Sequence, residues 1–150
     1  MRLADGRCSI DLTILRYEYP GHQPREPKDW DANWLIISGR VEDDSRSWSF
    51  RDPCLTTWEA AELLTFLNRR TFTPGDQIEF TEPNLALAVA HVTDHAIALE
   101  ITLRAEAAPP EATHDTRWGD GETLTVIMDL ANIHEATSEW AVNLASFPVR

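Results

Sequence analysis

Apolar side chains recur at every second position in short segments of the chain, a pattern that is typical of half-buried β-strands. In residues 9–19, for example, Ile10, Leu12 and Ile14 fall on one side and Asp11 falls on the other. Short polar links between successive segments favour antiparallel pairing. Seven segments have strand character in this sense: residues 9–19, 33–41, 46–51, 77–81, 85–92, 96–105 and 122–130.

Two further segments have the helical period of apolar residues instead. Thr56 and Glu59 fit a capping box, which predicts a helix that starts there and runs to about Arg70. Its apolar stripe consists of Ala60, Leu63, Leu64 and Leu67. Asn132 and Glu135 can cap a second helix, whose inward-facing residues would be Ile133, Ala136, Trp140, Leu144 and Phe147.

These elements predict one α+β domain over residues 1–150: a curved, mainly antiparallel sheet or sandwich of about seven strands with two packed helices. The length is typical of a single domain, and 43% apolar residues are enough for a core without disulfides or metal. Residues 22–29, which include Pro24 and Pro27, form a predicted surface loop, and residues 42–45 form a turn. Residues 106–121 lack any period and form a predicted mobile, acidic loop.

Negative charge is concentrated in the second half of the chain. Residues 1–70 carry twelve acidic and ten basic residues, whereas residues 71–139 carry thirteen acidic residues against Arg104 and Arg117 alone. Such a surface repels a phosphate backbone, so we expect no direct binding of nucleic acid. It attracts and steers basic protein partners, although acidity also serves solubility in many proteins.

The two cysteines, Cys8 and Cys54, are far apart and match no C-x-x-C or zinc spacing. The first residues do not resemble a signal peptide, and no apolar run approaches the roughly 18 residues of a membrane span. We therefore expect a cytoplasmic protein with free, buried thiols and no association with membranes.

Residues that could carry catalysis are sparse. His91, Asp94 and His95 come nearest to a metal cluster, but they span a predicted hairpin turn, where the two rings need not converge. Cys54 precedes a predicted helix, whose dipole could activate a thiolate, yet no base stands near it in sequence. We expect no catalytic residue, no metal and no cofactor.

The tryptophans differ in their predicted roles. Trp34, Trp48 and Trp140 fall on apolar faces and should lie in the core. Trp58 lies opposite the apolar stripe of the first helix, so it is either an exposed interface anchor or folded back on the neighbouring strand. Trp118, within the acidic loop, is the other candidate anchor.

Four segments together resemble the WapI-type immunity proteins of bacteria. They are DANWL at residues 31–35, DPCLTTWE at 52–59, EPNL at 82–85 and FPVR at 147–150. This resemblance covers nearly the whole chain. It implies a protein without catalytic activity that neutralises the toxin domain of a secreted bacterial protein by covering its active site or a surface that it needs. Many such toxins are nucleases with basic grooves, which an acidic surface suits.

The predicted partner-binding surface therefore lies on the acidic second half, with Trp118 or Trp58 as its aromatic anchor. Its candidate charge donors are Glu79, Glu82, Asp115, Asp120, Glu122, Glu135 and Glu139. The alternative is a small-ligand-binding or metal-dependent enzyme that uses the concave face of the sheet, with His91, Asp94 and His95 at its rim. A regulatory domain that dimerises through a sheet edge is a third hypothesis, and the oligomeric state stays open.

Overall fold

The computed structural model describes residues 1–26, 28–44 and 46–150. Pro27, in the predicted loop 22–29, and Ser45, in the predicted turn 42–45, lie outside these described residues. Within the described part of the chain, eight strands form two four-stranded antiparallel sheets, which confirms the predicted α+β class. The first sheet has the order β1 (Arg2–Ala4), β2 (Cys8–Tyr17), β3 (Trp34–Asp43), β4 (Arg46–Thr56). The second has the order β5 (Gln77–Glu79), β6 (Leu85–Val92), β7 (Ile97–Leu103), β8 (Glu122–Met128).

Each sheet is followed by one of the two long helices, so the two halves of the chain share the same element order. Helix α2 (Thr57–Leu67) follows β4, and α3 (Leu130–Leu144) follows β8. A single helical turn, α1 (Trp30–Asn33), precedes β3. The sequence patterns did not predict α1 or strand β1, because three or four residues are too few to show a period.

The starts of the two long helices show where capping patterns succeed and fail. At α2 the predicted box is confirmed: the Thr56 hydroxyl accepts from the Glu59 N–H at 3.3 Å, and the Glu59 carboxylate accepts from the Thr56 N–H at 2.8 Å. This helix ends at Leu67, three residues before the predicted end. The predicted cap of α3 is wrong, because Asp129 accepts from the Asn132 N–H at 2.7 Å and starts the helix earlier.

The apolar faces of both sheets and both long helices share one core. Trp140 is fully buried, and its indole N–H donates to the Ala60 carbonyl at 2.9 Å, which joins α3 to α2. Trp48 is also buried and donates to the Ala107 carbonyl at 2.9 Å. Phe147 is partly buried and packs edge-to-face on Tyr17, with ring centroids 5.6 Å apart.

The first strands of the chain also bond to the last strand. The Asp5 carboxylate accepts from the Ile127 N–H at 3.0 Å, and the Cys8 thiol donates to the Thr125 carbonyl at 3.2 Å. Strand β8 belongs to the second sheet, so these contacts tie the start of one half to the end of the other.

Part of the predicted loop 106–121 is packed against the core. Ala107, Ala108 and Pro109 are buried, beside a short 3-10 helix at Ala105–Ala107. The Arg117 guanidinium donates to the carbonyls of Ala105, at 2.7 Å, and Pro109, at 2.9 Å. Thr116–Asp120 form a wide helical turn. The mobility of the loop stays a prediction.

None of the helices built by the described residues combines the length and the apolar composition that crossing a bilayer would require.

Candidate functional site

The structure places the predicted partner-binding residues in separate regions. Asp115, Trp118 and Asp120 lie together on the wide turn of the loop and are all exposed. The Trp118 side chain is 55% exposed, and these residues line a shallow cavity of about 330 Å³. This group unites an aromatic side chain with two carboxylates on the surface, and its role as a partner contact stays a prediction.

A second group lies on α3, where Glu135 and Glu139 are exposed one turn apart and line one cavity. The Glu139 carboxylate accepts from the Arg2 N–H at 3.2 Å and stands 3.7 Å from the amino group of Met1. Glu139 therefore holds β1 against α3 in addition to any role at the surface.

The remaining candidates are scattered. Glu79 is exposed on the short strand β5, and Glu82 is half-buried in the turn that follows. Glu122 is bound to Arg46 at 2.6 Å, and Arg46 also pairs with Asp43 at 2.8 Å. These carboxylates hold the pKa of Arg46 above its usual range. The charge of Glu122 is thus already balanced within the fold.

Trp58 belongs to an aromatic group that the sequence did not predict. Its ring packs edge-to-face on Trp30 with centroids 5.1 Å apart, and Trp30 lies 5.8 Å from Trp34. We call these three side chains the tryptophan cluster. The prediction that Trp34 lies in the core is wrong: Trp34 and Trp58 are half-buried, and Trp30 is 48% exposed. Trp34 is the first residue of β3 and directly follows α1, where its ring packs on Trp30.

Asn33 connects the elements that carry the tryptophan cluster. It is fully buried, and its amide N–H₂ donates to the Asp29 carbonyl at 2.8 Å and to the Arg150 carbonyl at 3.1 Å. Its amide oxygen accepts from the Thr57 hydroxyl and from the Arg150 N–H, each at 2.9 Å. One side chain therefore ties α1 and β3 to the first turn of α2 and to residues 147–150.

Asp29 holds the turn of helix in which Trp30 lies. Its carboxylate accepts from the His22 ring at 3.0 Å, from the Arg25 N–H at 3.0 Å and, as the helix cap, from the Ala32 N–H at 3.3 Å. The hydrogen bond from His22, followed by those from the backbone, lowers the pKa of Asp29 to about 2.

Because the pKa of Asp29 is depressed in the folded state, its charge stabilises the fold above the usual value of 3.8, and this contribution disappears as the pH falls towards 2. We expect Asp29→Asn to be less stable than the wild type at pH 5 and to approach it near pH 2. Urea unfolding at a series of pH values measures the difference. Glu26→Gln, which removes an exposed charge from the same loop, should change stability little. An Asp29→Asn deficit that is independent of pH would contradict the assignment.

His22, Asp29 and Asp31 are also the described residues whose metal-ligating atoms converge, all within 4.8 Å of one another. A bound cation would have to replace the hydrogen bonds that Asp29 already accepts. The sequence-based alternative named His91, Asp94 and His95 instead. These are exposed at the β6–β7 hairpin, and Asp94 and His95 line a cavity of about 250 Å³ with Arg70, Phe72 and Leu130. The inner faces of the sheets, which that alternative would use, are filled by the core.

Neither cysteine has the environment of a nucleophile. Cys54 is almost completely buried, and burial, with a smaller effect of the Asp52 carboxylate, raises the pKa of its thiol well above the usual range. Burial and the Asp5 carboxylate raise the pKa of Cys8 to about 11. Both thiols thus stay protonated at neutral pH.

Asp52, in the second half of β4, belongs to a group of four carboxylates. The other three are those of Glu106, Glu82 and Glu18. The buried Asn84 amide donates to Asp52 at 3.3 Å and to Glu106 at 3.4 Å. Burial, and then the charges of Glu106, Glu82 and Glu18, raise the pKa of Asp52. Among the acidic residues that were predicted to bind a partner, Glu82 therefore lies close to other carboxylates.

The sequence matches the model of the immunity protein WapI-like family over residues 1–148. The chain belongs to this family. The match confirms the resemblance predicted from the four segments, and no curated protein matches the chain significantly. Among solved structures, the chain is similar to that of the plant transcriptional regulator PBF-2. The TM-score is 0.53 and the identity 11%, over 98% of this chain and 80% of that chain. At this identity the likeness shows the fold alone.

The four segments that carry the WapI-like resemblance meet in the folded protein. Asn33 of the first segment bonds to Thr57 of the second and to Arg150 of the fourth. Asp52 of the second accepts from Asn84 of the third. Hydrogen bonds therefore connect the four segments, and we call these contacts the junction network.

Proposed function

We propose that this chain is an immunity protein without catalytic activity, which binds and neutralises the toxin domain of a secreted bacterial protein. Membership of the immunity protein WapI-like family over residues 1–148 is the observation that carries the proposal. The free, buried thiols suit a place in the cytoplasm, where cysteines stay reduced. Burial raises the pKa of both thiols, so neither supports covalent catalysis.

The charge distribution supports a basic partner. Residues 71–139 carry thirteen acidic residues and only two arginines. Both arginines bond to main-chain carbonyls of their own loop: Arg104 donates to Gly119 at 3.0 Å, and Arg117 donates to Ala105 and Pro109. Among the described residues, Glu79, Asp120 and Glu135 have no basic side chain within ion-pair distance. Their field therefore acts on a partner in solution.

Trp118 supplies the apolar part of such a contact. It is exposed on the wide turn, between the carboxylates of Asp115 and Asp120. Large aromatic side chains in the centre of an interface often account for much of the binding energy, and acidic neighbours favour basic residues in the partner. We propose this turn as a contact with the toxin.

The test is co-expression of this chain with the toxin domain encoded by the neighbouring reading frame. The chain should restore growth, and the purified proteins should form a stoichiometric complex. Surface-charge steering predicts an association rate that falls roughly tenfold between low and physiological salt.

The double variant Asp115→Lys/Asp120→Lys should associate more slowly at low salt. The matched control is Glu26→Lys/Asp44→Lys, which makes the same change of charge at exposed residues of the first half. Growth that is not restored, with no complex in solution, would contradict the proposed function. An association rate indifferent to salt would remove the electrostatic part alone.

A further inference from the structure

We propose that the tryptophan cluster is a docking site for one arginine or lysine side chain of the toxin, separate from the acidic turn at Trp118. This inference rests on the proposed function and extends it to the first half of the chain. The site consists of Trp30, Trp34 and Trp58. An acidic residue is a neighbour of each one along the chain, the helix or the strand pair: Asp31, Glu18 and Glu62.

The hydrogen bonding of the tryptophans separates this group from the core. Trp48 and Trp140 are buried, and each indole N–H donates to a carbonyl of the chain. Within the described residues, the indole N–H groups of Trp30, Trp34 and Trp58 have no such partner. A buried tryptophan normally finds an acceptor, whereas these three present a ring and a free donor to whatever contacts them.

The cluster is held in place by the fold beneath it. Asp29 caps α1, and Asn33 joins α1 to the first turn of α2 through Thr57. The three rings therefore come from three elements whose relative positions are fixed by buried hydrogen bonds. A site that is ordered before binding loses less entropy when a partner docks, so exposed aromatic area here is well suited to binding.

The charges around the rings favour a cation. Asp31 follows Trp30 in α1 and is exposed, Glu62 lies one turn beyond Trp58 in α2, and the Glu18 N–H bonds to the Trp34 carbonyl at 2.8 Å across the strand pair. An indole face attracts a guanidinium or ammonium group, and a nearby carboxylate adds to the attraction.

A further group of carboxylates lies near Glu18. Glu18 stands near Asp52, whose other neighbours are Glu82 and Glu106. A basic side chain docked on the cluster would reduce the repulsion within this group. The chain itself shows the same kind of contact close by, where the Arg150 guanidinium lies 3.7 Å from the centre of the Tyr17 ring. Hydrogen bonds to the carbonyls of Tyr19 and Pro20 hold Arg150 there. Among the described residues, the cation–π contacts involve Trp48, Phe66 and Tyr17 and none of the rings of the cluster.

Binding of the toxin domain to purified variants tests the proposal. Trp30→Ala removes the most exposed ring and should weaken the complex about 30-fold, mainly by faster dissociation. Val142→Ala, which truncates an exposed apolar residue on α3, is the matched control and should bind like the wild type. Asp31→Lys should weaken binding about tenfold. Glu26→Lys, with the same change of charge in the neighbouring loop, should have little effect.

Amide and indole spectra of the nitrogen-labelled chain give a second readout that does not depend on variants. Six tryptophans give six indole signals. Addition of the toxin domain should shift the signals of the tryptophan cluster and leave those of Trp48 and Trp140 in place. If only the Trp118 signal responds, the proposed docking site is wrong.

Failure of this inference is distinguishable from failure of the proposed function. If the wild type does not bind the toxin domain, the proposed function fails and this inference with it. If the wild type binds and Trp30→Ala binds equally well, the docking site alone is refuted. The indole signals of the cluster could also shift when the concentration of the chain is raised in the absence of the toxin domain. This result would assign the surface to self-association and would overturn the proposal.

Discussion

Replacement of Glu59 by alanine should lower the free energy of unfolding by about 3 kcal/mol, because it removes a buried acceptor shared by two parts of the chain. One carboxylate oxygen accepts from the N–H and the hydroxyl of Thr56, at 2.8 and 2.9 Å. The other accepts from the Thr81 N–H at 2.7 Å. The variant would lose the cap of α2 and leave the Thr81 donor unpaired, next to the turn that leads to β6.

Urea unfolding followed by circular dichroism measures this loss. Glu59→Gln keeps one acceptor oxygen and should lose only about half as much, since hydrogen bonds to an ionised group are the stronger ones. Glu62→Ala, three residues further along α2 and exposed, should change the free energy of unfolding by no more than about 0.5 kcal/mol. Equal stabilities of Glu59→Ala and Glu62→Ala would refute the role of Glu59.

Asn33→Ala should cost about 3 kcal/mol as well, for a different reason. The Asn33 amide makes four hydrogen bonds, and its removal leaves the Thr57 hydroxyl and the main-chain groups of Arg150 without their partner. The amide hydrogen of Arg150, which now donates to Asn33, should then exchange faster with solvent, and residues 147–150 should be held less firmly. Urea unfolding and hydrogen exchange measure the two effects.

Asn132→Ala provides the comparison for Asn33→Ala. Asn132 is exposed in the first turn of α3, where only its main-chain N–H is used by the cap. Its truncation should leave both the stability and the exchange of residues 147–150 near the wild-type values. If Asn33→Ala behaves in the same way, the Asn33 side chain does not hold the junction network together.

Local chemistry made much of the fold predictable. The capping box of α2 depends on four consecutive residues, so Thr56 and Glu59 were enough to place the start of the helix. At α3, Asn132 and Glu135 offered an equally acceptable pattern, and only the extended backbone at Asp129 decides between the two. A capping signal is thus reliable where a single candidate exists and ambiguous where two lie within one turn.

The candidate site was less predictable, because local sequence does not determine which neighbour a surface side chain contacts in the folded protein. The sum of charges gives an acidic second half, yet Glu122 pairs with Arg46, and Glu139 contacts Met1 and Arg2. Trp30 was missed because it follows a proline-containing loop with no period, and its partners Trp34 and Trp58 are contributed by other elements. A contact between two segments that are distant in sequence does not change the pattern of apolar residues in either segment, so that pattern cannot predict it.

The contacts between the start of the chain and strand β8 affect how this protein unfolds. Because each half consists of four strands followed by a long helix, the two halves could be taken for two modules that fold independently. Asp5 and Cys8, however, are bonded to β8, and the tryptophan of α3 is bonded to α2. Release of either half would expose the apolar surface that the shared core now covers, so we expect the two halves to unfold together in one cooperative transition.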